Sequence, residues 1–321
     1  MDVDPLAPAA PERALSTVWD SLAGPARSWV AVRAAYGMSW VVAALMVVAT
    51  VASVLDEHLY PDGRWAREAL RGGDVVTLVV VVPTLILSLI LVWLGSRRAV
   101  VVWMGVLAYS VYDYAFYSFG AAFNDVFLLH IALLSLSVYA LACAMPNLYV
   151  AGIGRPLRGV AGARWAGLFL VIVGVAQGLL WVFVVSRNAI TGEVMHDVPV
   201  AGQHLVFALD LALCMPALVV GGLLLFRRTS FGFVLGPAMA VMGAMYQLNL
   251  LMAGVYQAGA HVAGVRAFPP EGVVLAAAFA AAALFLLLPR PNPQRGEGDE
   301  ERHHHTVRPH LSLIHSAGPQ R

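Results

Sequence analysis

The sequence contains no lysine, and all 20 of its basic residues are arginine. A Schiff-base mechanism is therefore excluded, because it requires a lysine amine. Charged residues make up only 12% of the chain, whereas a soluble domain has about 25%. The two cysteines, Cys143 and Cys214, stand inside apolar stretches, which favours small core residues over a disulfide or a metal site.

The motifs of the common cofactor and hydrolase sites are also missing. The chain has no zinc-ligand spacing, no Walker loop, no G-x-S-x-G, no H-E-x-x-H and no dinucleotide fingerprint. We therefore expect no resident cofactor and no nucleic acid partner.

Apolar residues, by contrast, are abundant: they make up 60% of the chain, and the mean hydropathy is +0.76. A helix needs roughly 20 apolar residues to cross a bilayer. Eight stretches qualify, namely 36–55, 75–95, 99–119, 126–145, 165–186, 204–226, 231–257 and 272–288. The sequence thus predicts an all-α, polytopic bundle of about eight transmembrane helices, with the lipid bilayer as its surroundings.

Very short turns, SRR and RRTS, join the second predicted helix to the third and the sixth to the seventh. Each pair is therefore expected to form an antiparallel hairpin. The seventh stretch is long enough to tilt or kink, and Pro237 lies near its start.

The arginines are distributed unevenly between the two sides of the predicted bundle. If the N-terminus is cytoplasmic, 15 arginines fall on the inner side and five on the outer side. Positive residues favour the cytoplasmic side. The distribution predicts that both termini are cytoplasmic, in a bacterial-type plasma membrane.

The two ends of the chain differ from the apolar middle. Residues 1–35 lack a signal-peptide pattern and are interpreted either as a short interfacial helix or as a loosely ordered tail. The interfacial helix would use Leu15, Val18, Trp19 and Leu22. Residues 290–321 are charged and predicted to be disordered, and their histidines are either solvated or available to a metal.

Two segments, 83–114 and 216–249, present similar features in the same order. Each has a proline, an apolar helix, an Arg-Arg pair and then a tyrosine followed by a polar residue. Both have the same orientation in the predicted topology. This pattern predicts a four-plus-four duplication with parallel halves, a layout known among transporters.

Polar side chains collect in the half of the membrane that the predicted topology makes external. The candidate binding residues are Asp113, Asp210, Tyr109, Tyr112, His130, Tyr246 and Asn249. Other polar residues at this depth are Asn124, Asp125, His204, Gln247 and Gln257. The inner halves have almost nothing comparable. We therefore predict an outward-opening polar pocket between helices three, four, six and seven.

Helical periodicity groups these candidates into faces. At about 100° per residue, Tyr109, Tyr112 and Asp113 share one face of helix three, and Tyr246 and Asn249 share one face of helix seven. An aspartate at mid-membrane costs about 2.5–3.5 kcal/mol on insertion scales, so it is expected to face the interior. There, tyrosine hydroxyls are the expected donors to Asp113.

Each candidate also has a simpler role. Asn124 or Asp125 is well placed to cap helix four. Tyr117 is placed where a tyrosine can anchor a helix at the membrane interface. His130 can donate to a backbone carbonyl, and the amide side chains of helix seven can form hydrogen bonds between helices.

Two predicted outer loops, 56–58 and 193–197, carry acids and histidines. They are interpreted either as a lid over the pocket or as solvated loops. Carboxylate and imidazole groups suit a divalent metal, but their spacing here matches no metal pattern.

Two segments also carry a resemblance. YDYAFYSFGAAFNDVFLLHIALLSLS (112–137) and LDLALCMPALVVGGLLLFRRTSFGFVLGP (209–237) resemble a group of uncharacterised bacterial multi-pass membrane proteins. The pattern of that group is Y-N-Y-A-x-Y-x-x-G-A-x-F-N, an apolar helix, and later L-D-x-A-x-x-x-P with a basic turn. Asp113 stands where that pattern has asparagine. The resemblance implies the helical hairpins and no particular activity.

Three functions are compatible with these patterns. The first is binding and movement of a small solute or ion, in which Asp113 or Asp210 takes up and releases a proton as the cavity opens and closes. The second is a membrane-embedded enzyme for a lipid or isoprenoid-like substrate, with one of these acids as acid or base. The third is a sensor or assembly subunit, which predicts that the polar groups pair off completely and leave no cavity.

Overall fold

The computed structural model describes residues 29–146, 150–154, 157, 162–192 and 200–288. Predictions about the N-terminal segment, the loop at 193–197 and the tail at 290–321 therefore lie outside the described residues. Within the described part, every regular element is helical, so the all-α prediction is confirmed.

Eight helices are long and apolar enough to cross a membrane. They are α1 (Trp29–Leu55), α2 (Arg64–Trp93), α3 (Arg97–Gly120), α4 (Phe127–Ala144), α5 (Ala163–Thr191), α6 (200–226), α7 (Gly232–Gly259) and α8 (Pro270–Leu287). A five-residue helix, Val150–Gly154, lies between α4 and α5. These helices indicate a multi-pass membrane protein.

The centre of the bundle is formed by α3 and α7, which are the most enclosed of the eight helices. Helix α3 packs against α2, α4, α6 and α7, while α7 packs against α2, α3, α6 and α8. Helix α1 packs on α4 and α2, and α5 packs on α6. Any site between α2, α3, α6 and α7 therefore lies at the middle of the bundle.

Helix α2 begins at Arg64, eleven residues before the predicted start at 75. Its first turns contain arginines and the Gly72-Gly73 pair, which in the sequence looks like a loop. The glycines instead allow close packing, because a Cβ added at Gly72 would lie 2.7 Å from the carbonyl oxygen of Met252 in α7. Asp74, three turns into this helix, thereby becomes a buried residue.

Helices α2 and α6 each contain one π-helical turn, Thr77–Val81 and Asp210–Cys214. A proline, Pro83 or Pro216, lies two residues after the end of each turn. Proline has no N–H, and its ring crowds the carbonyl one turn earlier, so widening the helix there relieves the clash. The two π turns are 133 positions apart along the chain.

The turns that follow α2 and α6 also correspond at this spacing. Gly95 and Arg228 both have positive φ, 84° and 56°. One residue later, Ser96 accepts a hydrogen bond from the backbone N–H of Ala99, and Thr229 accepts one from that of Gly232. These side chains hold the first turns of α3 and α7, so both hairpins close in the same way.

The crossing of α3 and α7 depends on Gly105. A Cβ added there would lie 2.6 Å from the carbonyl oxygen of Ala238, a backbone atom that has no freedom to move aside. We predict that Gly105→Ala lowers the stability of the protein in detergent by about 1–3 kcal/mol through overpacking. Thermal unfolding followed by circular dichroism measures the change.

Gly37→Ala in α1 is the matched control. An added Cβ at Gly37 meets nothing within 4 Å, and alanine favours a helix. The thermal unfolding midpoint of the Gly37→Ala protein should therefore not fall. Equal midpoints for the two variants would show that α3 and α7 do not approach this closely.

Candidate functional site

A cavity of about 150 Å³ lies between α2, α3, α6 and α7. We call it the central cavity. Its aromatic walls are Trp65 of α2, Tyr112, Phe116 and Tyr117 of α3, and Tyr246 of α7. Its polar groups are Asp113 of α3 with Asn249 and Gln257 of α7. Four of the predicted binding residues therefore line one space, namely Tyr112, Asp113, Tyr246 and Asn249.

Asp113 is 95% buried, with 5% of its surface exposed. The amide nitrogen of Asn249 donates to its Oδ1 at 2.9 Å and to the hydroxyl of Tyr109 at 2.7 Å. Oδ2 of Asp113 has no hydrogen-bond partner among the described residues. One carboxyl oxygen in the wall of the central cavity is therefore held by protein, and the other is not.

Asp210, at the start of the π turn of α6, is bonded on both oxygens. Tyr112 donates to Oδ1 at 2.7 Å, and the indole N–H of Trp181 in α5 donates to Oδ2 at 2.7 Å. The hydroxyl of Tyr246 lies 3.3 Å from that of Tyr112 and 3.5 Å from Oδ1. Asp210 thus fixes the two tyrosines that form a wall of the central cavity.

The two aspartates do not line the same space. Asp210 lines a second cavity, of about 250 Å³, together with Trp181 and Gln177 of α5 and Phe279 of α8. Tyr246 and Leu250 line both cavities and form the partition between them. Asp113 and Asp210 are therefore linked through tyrosines.

A third cavity, of about 320 Å³, adjoins the central one. The two share Trp65, Leu70 and Phe116. Beyond them, the third cavity is bounded by Asp62 and the exposed Arg64, at the loop end of the bundle. Trp65, Leu70 and Phe116 thus lie between the central cavity and this end of the bundle.

A third buried acid, Asp74 of α2, is only 2% exposed and was not a predicted site residue. The hydroxyl of Tyr60 donates to its Oδ2 at 2.8 Å. Burial raises the pKa of Tyr60, so this phenol keeps its proton and remains a donor. The signal in the sequence was an acid directly before an apolar run. Asp74 was placed outside the membrane because α2 was predicted to start at residue 75.

His130 is fully buried but does not line the central cavity. It lies among the rings of Tyr60, Tyr114 and Tyr117, at centroid distances of 6.3, 6.1 and 4.9 Å. Neither ring nitrogen has a hydrogen-bond partner in the described part of the chain. The expected bond to a backbone carbonyl is therefore not made.

Two other simple roles are corrected by the geometry. Tyr117 is 2% exposed and donates to the carbonyl of Leu70, so it is a buried link between α3 and α2 and not an interface anchor. Asn124 accepts from the N–H of Val126 at 3.1 Å. It stabilises the turn before α4, whereas the capping position itself is occupied by Val126.

The remaining predicted polar residues are divided between surface and core. Asp125 and His204 are exposed, and Gln247 lines the second cavity. Gln257 donates to the carbonyl of Trp65, which ties α7 to the start of α2. In the loop at 56–58, Glu57 pairs with Arg71 at 3.5 Å.

None of the three buried aspartates has a basic partner in the ion pairs of the described residues. The same residues contain no group of three or more histidine, cysteine, aspartate or glutamate side chains placed to hold a metal ion. The donors to these acids within the described part of the chain are neutral hydroxyl, amide and indole groups.

Comparison with known proteins adds no assignment. No protein-family model matches the chain, and neither a curated protein nor a solved structure matches it significantly.

The bond from Trp181 to Asp210 is the first contact of this site that a substitution can test. We predict that Trp181→Phe lowers stability by about 1–3 kcal/mol, because a buried carboxyl oxygen loses its donor. Trp165→Phe is the control on the same helix, since Trp165 is 75% exposed. Thermal unfolding in detergent compares them, and equal midpoints would contradict the bond.

The bond from Tyr60 to Asp74 gives a second prediction. Tyr60→Phe should cost about 1–3 kcal/mol for the same reason. Tyr139→Phe, at a tyrosine that is 63% exposed on α4, should change stability by less than about 0.5 kcal/mol. Chemical unfolding in a fixed detergent measures both, and an unchanged Tyr60→Phe protein would contradict the bond from Tyr60 to Asp74.

Proposed function

We propose that the protein binds a small solute or ion in the central cavity and moves it across the membrane in exchange with a proton. The observation that carries the proposal is the free Oδ2 of Asp113, buried in the wall of a cavity between the two central hairpins. A carboxyl group without a cationic partner is stable there as the neutral acid and becomes charged when a ligand or water compensates it. Asp113 is thus the proton-exchanging group.

Asp210 has a different role in this proposal from the one predicted for it. Both of its oxygens accept hydrogen bonds from protein groups, so it is not free to receive a ligand. It is a positioning residue, which holds Tyr112 and Tyr246 in the cavity wall.

A parallel duplication of the bundle supports movement of the ligand. Gly72 of α2 touches Ala253 of α7, and Gly120 of α3 touches Leu205 of α6. At a spacing of 133 positions, Gly72 is equivalent to Leu205, and Gly120 is equivalent to Ala253. The two contacts therefore join equivalent pairs of positions, with the roles of the two halves exchanged. Gly105 and Ala238, which touch each other, are also 133 positions apart.

Such an exchange is expected of two repeats related by a two-fold axis along the membrane normal. The central cavity lies where α2 and α3 of one half meet α6 and α7 of the other. Transporters with this layout alternate access by rocking one half against the other around the site. The π turns of α2 and α6 are the places where these helices depart from regular geometry. We place the protein in a bacterial-type plasma membrane with both ends cytoplasmic, as the arginine distribution predicts.

A lipid-modifying enzyme is the second candidate, and one observation favours it. The second cavity extends from α5 to α8, the two least enclosed helices, and Asp210 lines it. An apolar substrate entering between these helices would meet that acid. The bonds on both oxygens of Asp210 make it a weaker choice for acid or base chemistry than Asp113 is for proton exchange. A sensor without a pocket is disfavoured by the cavity and by the unpaired oxygen.

The transport proposal is tested with the full chain in sealed vesicles that contain a pH-sensitive dye. Sodium chloride, tetramethylammonium chloride, sodium lactate and glucose are added in turn as an inorganic cation, an organic cation, an organic anion and a neutral solute. At least one should drive a proton flux, and Asp113→Asn should reduce that flux by more than about tenfold because its amide exchanges no proton.

Asp125→Asn is the control, since it makes the same change at an exposed acid of the turn after α3. It should leave the flux unchanged. If no probe moves protons through the wild-type protein, or if Asp113→Asn behaves as wild type, the transport proposal is incorrect.

A further inference from the structure

The walls of the central cavity carry one acid and no basic residue among the described side chains that line it. An anionic ligand would find no basic partner among these lining side chains and would lie against the Asp113 carboxyl group. From this geometry we propose that the ligand is a small organic ammonium ion, bound by Asp113 and the surrounding aromatic rings. The inference rests on the proposed function and names the ligand class of the same site.

The rings come from three helices and enclose the space around Asp113. Trp65, Phe116 and Tyr246 face the cavity from α2, α3 and α7, and Tyr112 and Tyr117 complete its wall. A cation near the face of an aromatic ring gains about 0.5–2 kcal/mol, and cages of such rings recognise substituted ammonium groups. The tyrosine rings are held in place, since Tyr112 is bonded to Asp210 and Tyr117 to Leu70.

The anionic anchor of this site is prepared in advance. Asn249 donates to Oδ1 of Asp113, and Oδ2 has no hydrogen-bond partner among the residues that the structure describes. Once Asp113 has released its proton, its carboxylate makes a negative potential, which attracts a cation and repels an anion.

The size and polarity of the cavity narrow the class of cation. A space of about 150 Å³ accommodates a molecule of roughly the size of benzene. Inorganic divalent ions require about six or more oxygen ligands, and this mostly apolar wall offers few. An ammonium ion with a few carbon substituents matches both the rings and the single carboxylate.

Binding of such a cation requires Asp113 to release its proton. The neutral acid and the free ammonium ion become a carboxylate–ammonium pair, and one proton leaves to solvent, so charge and atoms balance. The titratable groups around Asp113 are Asp74 from α2, Tyr109, Tyr112, Tyr114 and Tyr117 from α3, and Tyr246 from α7. Asn249 of α7 does not titrate, and the only α6 side chain in this cavity wall is Val206 among the described residues.

The direction of the pH dependence follows from this exchange. Low pH favours the form in which Asp113 is protonated and no cation is bound. The affinity for the ammonium ion therefore increases with pH. While Asp113 is protonated in the free protein, the apparent affinity should rise by about tenfold per pH unit.

The test is isothermal titration calorimetry of the full chain in detergent with three probes of similar shape. Tetramethylammonium is the cation, tert-butanol the neutral compound and pivalate the anion. We expect binding of tetramethylammonium alone, with one proton released per ion, as shown by the dependence of the heat on the ionisation enthalpy of the buffer. Asp113→Asn should weaken binding by more than about tenfold, whereas Asp125→Asn should leave it unchanged.

A second variant protects the test against a folding defect in Asp113→Asn. Trp65→Leu removes one ring of the cage but leaves the carboxyl group, so it should weaken tetramethylammonium by about threefold or more and keep the proton release. Binding of pivalate or tert-butanol as strong as that of tetramethylammonium, or tetramethylammonium binding with no proton release, would overturn the inference.

The vesicle experiment separates this inference from the proposed function. If lactate or glucose drives the Asp113-dependent proton flux and tetramethylammonium neither binds nor drives it, the ligand class is incorrect but transport remains. If tetramethylammonium binds and no probe drives flux, the ligand class remains and transport is rejected.

Discussion

The need to satisfy carboxyl groups among membrane helices without any basic partner is the constraint on which the centre of this structure depends. Charge without compensation is expensive in this environment. Asp74 and Asp210 meet the requirement with neutral donors from the protein, namely Tyr60 for the first and Tyr112 with Trp181 for the second. Asp113 meets it only on one oxygen. The three acids are therefore alike in burial, but they differ in whether the protein donates hydrogen bonds to their carboxyl oxygens.

The donors that satisfy these acids also hold helices together. Trp181 ties α5 to α6, and Tyr112 ties α3 to α6. Asn249 ties α7 to α3 through two bonds. Membrane helices gain little from apolar contact alone, so small residues at the crossings and hydrogen bonds between helices carry much of their specificity. Gly72 and Gly105 provide the close crossings, and the acids provide the bonds.

Much of the architecture was predictable because a bilayer imposes a length on each apolar helix. The eight helices followed from that length, and the shared face of Tyr112 and Asp113 followed from helical periodicity. The early start of α2 was not predictable by this route, because Gly72-Gly73 and the nearby arginines have the composition of a loop. In the structure the segment is helical and Gly72 packs closely on α7. Asp74 was overlooked because it was placed outside the predicted helix.

The partners of the acids were harder to predict than their depth. Tyr112 shares a helical face with Asp113 but donates to Asp210 of another helix, and the amide donor to Asp113 is Asn249 of α7. A π turn inserts an extra residue and rotates everything before it by about 100° relative to a regular helix. The direction in which Asp210 points therefore depends on a distortion that hydrophobic periodicity does not reveal.

The position of Tyr246 has a consequence for how this molecule is to be dissected. One phenol ring serves as the wall of two adjoining compartments. A truncation of that ring would enlarge both at once, and its phenotype would report on neither separately. Val206 on one side of the partition and Gln177 on the other each border only one of the three cavities described. Those two side chains are the places where the compartments are distinguishable by mutation.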